Sequence, residues 1–418
     1  MVKNGFWSKK FFREIDLFVF TSFLAWPFLI FLAHSEIPNP HQSTRNDQLT
    51  KHRQFSENVL HLRVLNLNTW GLSWPLSKDR DARFRALRQE LSQNTYDVVL
   101  LQELWFRDDH NLLTSDSLPY ANYFGTFNSG CKGYILPLEC SGLTILSRYP
   151  FVDLEFTPFK LRGSFWSFDG EIFVQKGLAR ARISLNGVNI DFFTTHLVSY
   201  TTNPNSDNHR VRYTQTSEMV KFMAQTNADV KIFAGDCNFL PLKGRGQPYS
   251  LLTSYMTDAM VDKYPADSDN PLFATFGNYH NTYTKDSMIP ERIDYLMYWA
   301  APNTAMKCMN FTMPMHTTKN KWGKLVSLSD HEFLQADFLI EKLPRPPAAA
   351  EGHAAVDAVA QPPPRIRSRK DNFYRYIIPP HEDLAVKKAG DLADAPFAST
   401  ANRFVVQFHE IFVYYLTV

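Results

Sequence analysis

Leu328-Ser329-Asp330-His331-Glu332 is followed at once by an apolar stretch, Phe333 to Ile340. A run of that length and composition reads as a buried strand, which puts the aspartate and histidine at the rim of a sheet. A histidine there becomes a general base only if a second group orients its ring and a cation lies nearby. Four other strand-like runs bring suitable groups. Leu62 to Leu65 leads into Asn66-Leu67-Asn68, and Val98 to Leu101 into Gln102-Glu103. Val230 to Ala234 leads into Gly235-Asp236-Cys237-Asn238, and Arg292-Ile293-Asp294-Tyr295-Leu296 opens a fourth run. Taken alone, each such residue usually serves a turn or a local hydrogen bond. Five strand ends in one domain point instead to a shared polar site.

Outward from these ends, the chain to about residue 345 alternates strand-like runs with amphipathic helices. Asp79 to Gln93 sets Phe84, Leu87 and Leu91 on one helical face, and His209 to Gln225 does the same with Tyr213, Val220 and Met223. Further strands are expected at Gly142 to Leu146, Gly177 to Ile183, Val188 to Thr195 and Asp294 to Tyr298. Many strands with a few covering helices predict an α+β fold, two packed β-sheets with helices outside. No internal repeat is present.

With 418 residues, 44% of them hydrophobic, the chain can bury a sizeable core. A formal net charge of +2 gives no polyelectrolyte signature, and no run of basic and aromatic residues marks a nucleic-acid groove. The 34 phenylalanines imply heavy aromatic packing or some membrane-facing surface. Four cysteines are too few for a disulfide scaffold and lack zinc spacing. Cys131 and Cys140 flank a short loop that a disulfide could close in an oxidising compartment. Cys237 reads as a packed thiol rather than a nucleophile.

Lys3, Lys9, Lys10 and Arg13 precede Leu17 to Ala33, a stretch without a charged residue. A basic flank before an apolar core is the pattern of a secretory signal or of a membrane anchor within residues 1–35, and either would place the following domain in the secretory pathway or outside. Residues 36–58 read as a polar linker, 59–342 as the catalytic domain, and 343–418 as a Pro/Ala-rich disordered tail with a short apolar end.

Glu103 is a hard oxygen ligand of the kind Mg²⁺ takes, and Asn68 could extend that set or hold a phosphate oxygen. Asp236 and Asn238, two apart on a tight turn, can both point into one cleft. In order, Asn68, Gln102-Glu103, Thr195-His196, Gly235-Asp236-x-Asn238, Arg292-Ile293-Asp294-Tyr295 and Ser329-Asp330-His331 resemble the signature of the metal-dependent endonuclease/exonuclease/phosphatase superfamily. The resemblance covers about residues 60 to 341. Asn66 to Leu72, Ser77-Lys78-x-Arg80, Lys176-Gly177 and the last two blocks look like neutral sphingomyelinases in particular.

The resemblance implies a DNase I-like four-layer sandwich and Mg²⁺-dependent, phospholipase C-type hydrolysis of sphingomyelin to ceramide and phosphocholine. It implies Mg²⁺ on Glu103 with Asn68 beside it and Asp330 completing the cluster, and His331 as general base oriented by Asp294. Asp236 would position the attacking water, Asn238 hold the phosphate, His196 donate to it, and Lys176 mark the sphingomyelinase branch. Pro158 to Gly170, with Phe159, Leu161, Phe165, Trp166 and Phe168, either dips into a bilayer or folds back. The partner implied is a membrane lipid, not nucleic acid. Rival readings are hydrolysis of a lysophosphatidylcholine-like lipid, a nuclease of the same fold, and a silent membrane-binding module; the last is disfavoured because no Glu, Asp or His of the set is missing. In the resembling animal enzymes two transmembrane helices follow the catalytic domain, whereas here the apolar run precedes it, so their compartment is not carried over. Asn310-Phe311-Thr312 is a glycosylation sequon compatible with a lumenal domain.

Overall fold

The computed structural model describes residues 59–343 except 94–95, 116, 126–139, 164–173, 200–206, 268–269 and 286–288. The expected leader, the linker and the tail beyond Leu343 lie outside the described residues. Among the described residues, no helix is long and apolar enough to cross a membrane.

The chain runs β1 (Val59–Asn68), α1 (Arg80–Gln93), β2 (Val98–Gln102), α2 (Arg107–Leu113), β3 (Asn122–Gly125), β4 (Thr144–Ser147) and β5 (Asp153–Pro158). It continues through β6 (Gly177–Leu185), β7 (Val188–His196), α3 (Asn208–Gln225), β8 (Val230–Asp236), α4 (Pro248–Thr253), β9 (Thr257–Asp258) and α5 (Ala259–Lys263). It ends with β10 (Asp294–Ala300), β11 (Thr304–Thr312), β12 (Thr317–Lys319), β13 (Leu325–Ser327) and β14 (Leu334–Lys342). Two six-stranded sheets form, in the orders β11-β14-β1-β2-β4-β3 and β5-β6-β7-β8-β10-β9. β1 pairs with β2, and β7 with β8, in parallel.

Alternation along the strands, with a period of two, builds the layers. Even-numbered positions of the central strands face the other sheet: Leu60, Leu62 and Val64 of β1 meet Phe192 of β7, Ile232 of β8 and Leu296 of β10 in one core. Odd-numbered positions face outward. Leu65, Leu67, Val99 and Leu101 pack on Phe84, Leu87 and Leu91 of α1. Phe193, Phe233 and Met297 pack on Met219 and Met223 of α3 and Leu252 of α4. The result is four layers, helix, sheet, sheet, helix. Each fully buried Leu, Ile or Phe contributes roughly 1.5–3 kcal/mol, so the three clusters dominate stability.

The same parity changes chemistry at one end. After Leu60, Leu62 and Val64, the inward positions of β1 become Asn66 and Asn68; those of β2, β7 and β8 become Gln102, Thr194 with His196, and Asp236. Gln102 Nε2 donates to Asn66 Oδ1 at 2.9 Å and to Thr194 Oγ1 at 2.8 Å, joining the two sheets above the apolar floor. Everything beyond this polar tier opens into the site.

One expectation needs correction. On α3, Tyr213 is exposed, and the buried face is Val211, Arg212, Gln215, Thr216, Met219 and Met223. The polar members are held by backbone partners: Arg212 donates to Ser199 O, and Gln215 Nε2 to Leu161 O. An apolar periodicity cannot register such positions.

Candidate active site

The tertiary structure brings the strand ends together. β10 lies antiparallel to β8 with Asp294 opposite Asp236, and β7 lies parallel to β8 with His196 opposite Asp236. Gly235 is required at this crossing, because a Cβ there would meet the Thr195 carbonyl oxygen at 2.3 Å. Gly71 does the same on the other side, where a Cβ would fall 2.1 Å from the carbonyl oxygen of Glu103. Trp70, Glu103 and Asn238 all adopt positive φ, at 49°, 57° and 52°. Such non-glycine strain costs on the order of 1–3 kcal/mol per residue and collects at functional sites.

Asn68 spans two carboxylates. Its Nδ2 donates to Glu103 Oε1 at 3.0 Å and to Asp236 Oδ2 at 2.9 Å, while its Oδ1 accepts from Trp70 N at 3.0 Å. His196 Nε2 lies 3.5 Å from Asp236 Oδ2 and 4.0 Å from Glu103 Oε1. Across the same carboxylate, His331 Nε2 is 3.8 Å from Asp236 Oδ2. The other nitrogen of that ring, Nδ1, is 2.8 Å from Asp294 Oδ2, and the ring packs against Phe276 with centroids 5.1 Å apart. A carboxylate on Nδ1 fixes the ring and leaves Nε2 facing the cleft.

The supports were not legible as site residues. Thr275 Oγ1 accepts from the backbone N–H groups of Ile293 and Asp294 at 3.0 Å each, setting the start of β10. Ser329 Oγ donates to Asn68 O at 2.6 Å and accepts from His331 N at 3.2 Å, linking the first strand end to the last. Arg83, fully buried on α1, donates to Thr69 O, Trp70 O and Leu328 O. On sequence alone Arg83 is an ordinary helix arginine.

Burial and crowding of like charges shape the electrostatics. Burial, then Asp294, pushes the Asp236 carboxyl up to about 7. Burial likewise lifts Asp330 to about 6. Burial opposes the charged form of His331, yet Asp294, Asp236 and Asp330 together hold its pKa well above the usual histidine value. Burial, with Lys176 and His331, keeps His196 well below that value, so it is neutral.

Among the described residues two groups of potential ligands result, Glu103 with His196 and Asp236, and Asp236 with Asp294 and His331. Glu103 Oε2 is buried with no hydrogen-bond partner among the described residues. An orphaned carboxylate oxygen beside a carboxyl that burial and a neighbouring acid destabilise as an anion suits a hard divalent cation. Asp330 belongs to neither group and accepts from Ser329 Oγ at 3.3 Å.

The remaining expected residues sit as follows. Lys176 is buried, and its Nζ donates to Leu197 O at 3.1 Å. Asn238 Nδ2 donates to the same carbonyl at 3.2 Å, and its backbone N–H to Asp236 Oδ1 at 3.0 Å. Cys237 is buried and burial lifts its thiol far above the ordinary range, so it carries no thiolate chemistry. Cys140 is disulfide-bonded, and Cys131 lies outside the described residues. Phe159 folds back into the core beneath α3, while Phe165, Trp166 and Phe168 lie outside the described residues. Asn310 is exposed at a bulge in β11.

The sequence profile of the Endonuclease/Exonuclease/phosphatase family matches residues 65–331. The chain is 30% identical over 296 residues to a putative neutral sphingomyelinase of Drosophila melanogaster, covering 68% of this chain and 62% of that one. It is 28% identical over 305 residues to sphingomyelin phosphodiesterase 2 of Homo sapiens, covering 71% and 69%. It is 32% identical over 229 residues to inositol phosphosphingolipids phospholipase C of Schizosaccharomyces pombe, covering 51% and 50%. The match thus spans less than two thirds of the fly relative and half of the yeast one.

Proposed function

The chain belongs to the endonuclease/exonuclease/phosphatase family, and we propose that it cleaves sphingomyelin in the manner of a phospholipase C, releasing phosphocholine and ceramide. The observation that carries this reading is the convergence on Asp236: Asn68 donates to it from one side, and the His331–Asp294 pair stands 3.8 Å away on the other. The sphingomyelinase names of the fly and human relatives support the lipid.

In this reading His331 takes the proton of the attacking water at Nε2, with Asp294 holding the ring and favouring the imidazolium that forms. Asp236 orients that water. Asn238 and Lys176, which share the Leu197 carbonyl, face the phosphate, and neutral His196 donates to it. Glu103, with Asn68 and Asp330 beside it, would hold Mg²⁺. When bound, the ion supplies charge neutralisation at the phosphate.

Release of phosphocholine from sphingomyelin liposomes, with Mg²⁺ or EDTA, tests the reading. His331→Ala should lower the rate about a hundredfold or more. Folded protein that releases nothing from sphingomyelin overturns it, and the yeast relative's name makes an inositol-phosphate sphingolipid the next substrate, followed by lysophosphatidylcholine and then DNA.

A further inference from the structure

Asn310-Phe311-Thr312 on β11 is the only Asn-x-Ser/Thr triplet in the 418 residues, and the hydrolase chemistry makes no use of it. Strand parity alone would hide its asparagine. Cys308 and Phe311 are both buried, at 0% and 2% exposure, although three positions separate them, and Met309 and Asn310 between them are both exposed. The cause is a bulge. Cys308 stands opposite Phe338 of β14 and Asn310 opposite the adjacent Asp337, so Met309 is the extra residue. A two-residue period from Cys308 would point Asn310 into the core, and the bulge turns it to solvent.

The fold makes no use of an amide there. The cross-strand neighbour Asp337 accepts from Arg63 Nε at 2.7 Å, and the Asn310 side chain makes no hydrogen bond among the described residues. The backbone around it is held in place: Cys308 Sγ donates to Asn310 O at 3.3 Å, Lys263 Nζ to Cys308 O at 3.2 Å and Tyr264 Oη to Phe311 O at 3.1 Å. β11 ends its sheet, so no strand flanks it on the other side.

Two further features suit the compartment in which such a triplet is used. Cys140 is disulfide-bonded, and the two free thiols among the described residues, Cys237 and Cys308, are fully buried. A disulfide with no exposed thiol beside it fits oxidising surroundings. The basic flank and charge-free stretch at 17–33 fit translocation into them.

We propose that Asn310 carries an N-linked oligosaccharide, added on the lumenal side of a secretory membrane. The donor is an oligosaccharide joined to a polyprenyl diphosphate. Asn310 Nδ2 bonds to the anomeric carbon of the first sugar, the bond from that carbon to the diphosphate oxygen breaks, the lipid diphosphate leaves, and Nδ2 gives up one proton to a base of the transferase. Asn310, Asp337 and Arg63 share one row across β11, β14 and β1, and Asn68 lies five positions further along β1. At about 3.3 Å per residue the glycan stands roughly 16 Å along the sheet from the catalytic strand end and leaves it open. Glycosylation at Asn310 does not rest on the lipid-hydrolase reading; its consequence, action on the lumenal or outer leaflet, does.

The test is expression of the full chain in animal cells, followed by an amidase that strips N-linked glycans. Wild type should fall by a single step in apparent mass, and peptide mass spectrometry should find sugar on the peptide that carries Asn310. Asn310→Gln and Thr312→Val should migrate with the stripped protein, whereas Thr312→Ser, which keeps the hydroxyl, should still fall. Stripped wild type and Asn310→Gln should unfold at the same denaturant midpoint, because the side chain is exposed and unbonded among the described residues. Should Asn310→Gln be lost to degradation, the two Thr312 variants decide. A wild type that does not shift, a shift that survives Asn310→Gln, or equal shifts in Thr312→Val and Thr312→Ser overturns the proposal. The readout is a glycan and not turnover, so a protein inactive on sphingomyelin would sink the hydrolase reading and leave this result standing by itself.

Discussion

The guanidinium of Arg83 donates to the carbonyl of Leu328 at 3.0 Å, and through the same side chain to Thr69 and Trp70. One helix residue thereby holds both the loop that follows Asn68 and the loop that carries Asp330 and His331. Removing it leaves buried carbonyls without donors, each costing about 1–3 kcal/mol. Arg83→Lys, which cannot reach all three at once, should lower stability in urea by about 3 kcal/mol and reduce kcat more than it raises KM. Unchanged kcat with lowered stability would reduce Arg83 to a packing role.

A base must be neutral to take a proton, so activity is expected to rise with pH through the pKa of His331. Against burial, the negative charge of Asp294 and its carboxylate neighbours holds that pKa up. Asp294→Asn removes a charge that favours imidazolium. The pKa falls, and the acid limb of the pH–rate profile should move to lower pH while the maximum drops about a hundredfold or more. An acid limb that stays in place would show that another group sets it.

Glu103 Oε2, buried without a partner among the described residues, should gain one when a divalent cation binds. Mg²⁺ should therefore raise the thermal midpoint of the wild type, because a ligand that binds only the folded state stabilises it. Glu103→Gln should lose most of that increase. An equal increase in both proteins would place the ion elsewhere.

His110, on α2 and away from the catalytic cluster, gives a pH effect on folding. Burial, aided by Arg107, depresses its pKa to about 4. The unfolded chain binds the proton more readily, so stability is full above about pH 6.5 and falls as pH drops toward 4. The loss by pH 4 is about 3 kcal/mol. His110→Gln, which cannot titrate, should flatten that part of the stability curve, measured by denaturation from pH 7 to 4. A curve that keeps its slope would remove His110 as the cause.

Gly235→Ala puts a methyl 2.3 Å from the Thr195 carbonyl oxygen, across the parallel β7–β8 pair. Backbone must move, at a cost of about 1–3 kcal/mol. Because Asp236 and His196 are the next residues on those strands, kcat should fall along with the unfolding midpoint. A variant with wild-type kinetics would mean the strands can separate without disturbing the site.

Every strand that ends at the site was readable, because a run such as Val98 to Leu101 buried on both faces leaves a continuous apolar signal. The helix face of α1 was readable for the same reason. The face of α3 was not, since Arg212 and Gln215 are buried through hydrogen bonds that a hydrophobic pattern does not contain. Arg83, Thr275 and Ser329 escaped as supports because their partners are mostly backbone carbonyls and N–H groups, which any sequence supplies everywhere.

The amino-acid sequence by itself determined the strands that end at the site and the acids, amides and histidines at their ends. Those are local properties, set by a two-residue period and by the chemistry of each side chain. Only the tertiary structure decided who meets whom: that Asn68 reaches Asp236 and that His331 rests on Asp294. Strand pairing and sheet packing are non-local, and the distance between two strand ends depends on which strands neighbour one another and in what register, not on the residues of either strand alone.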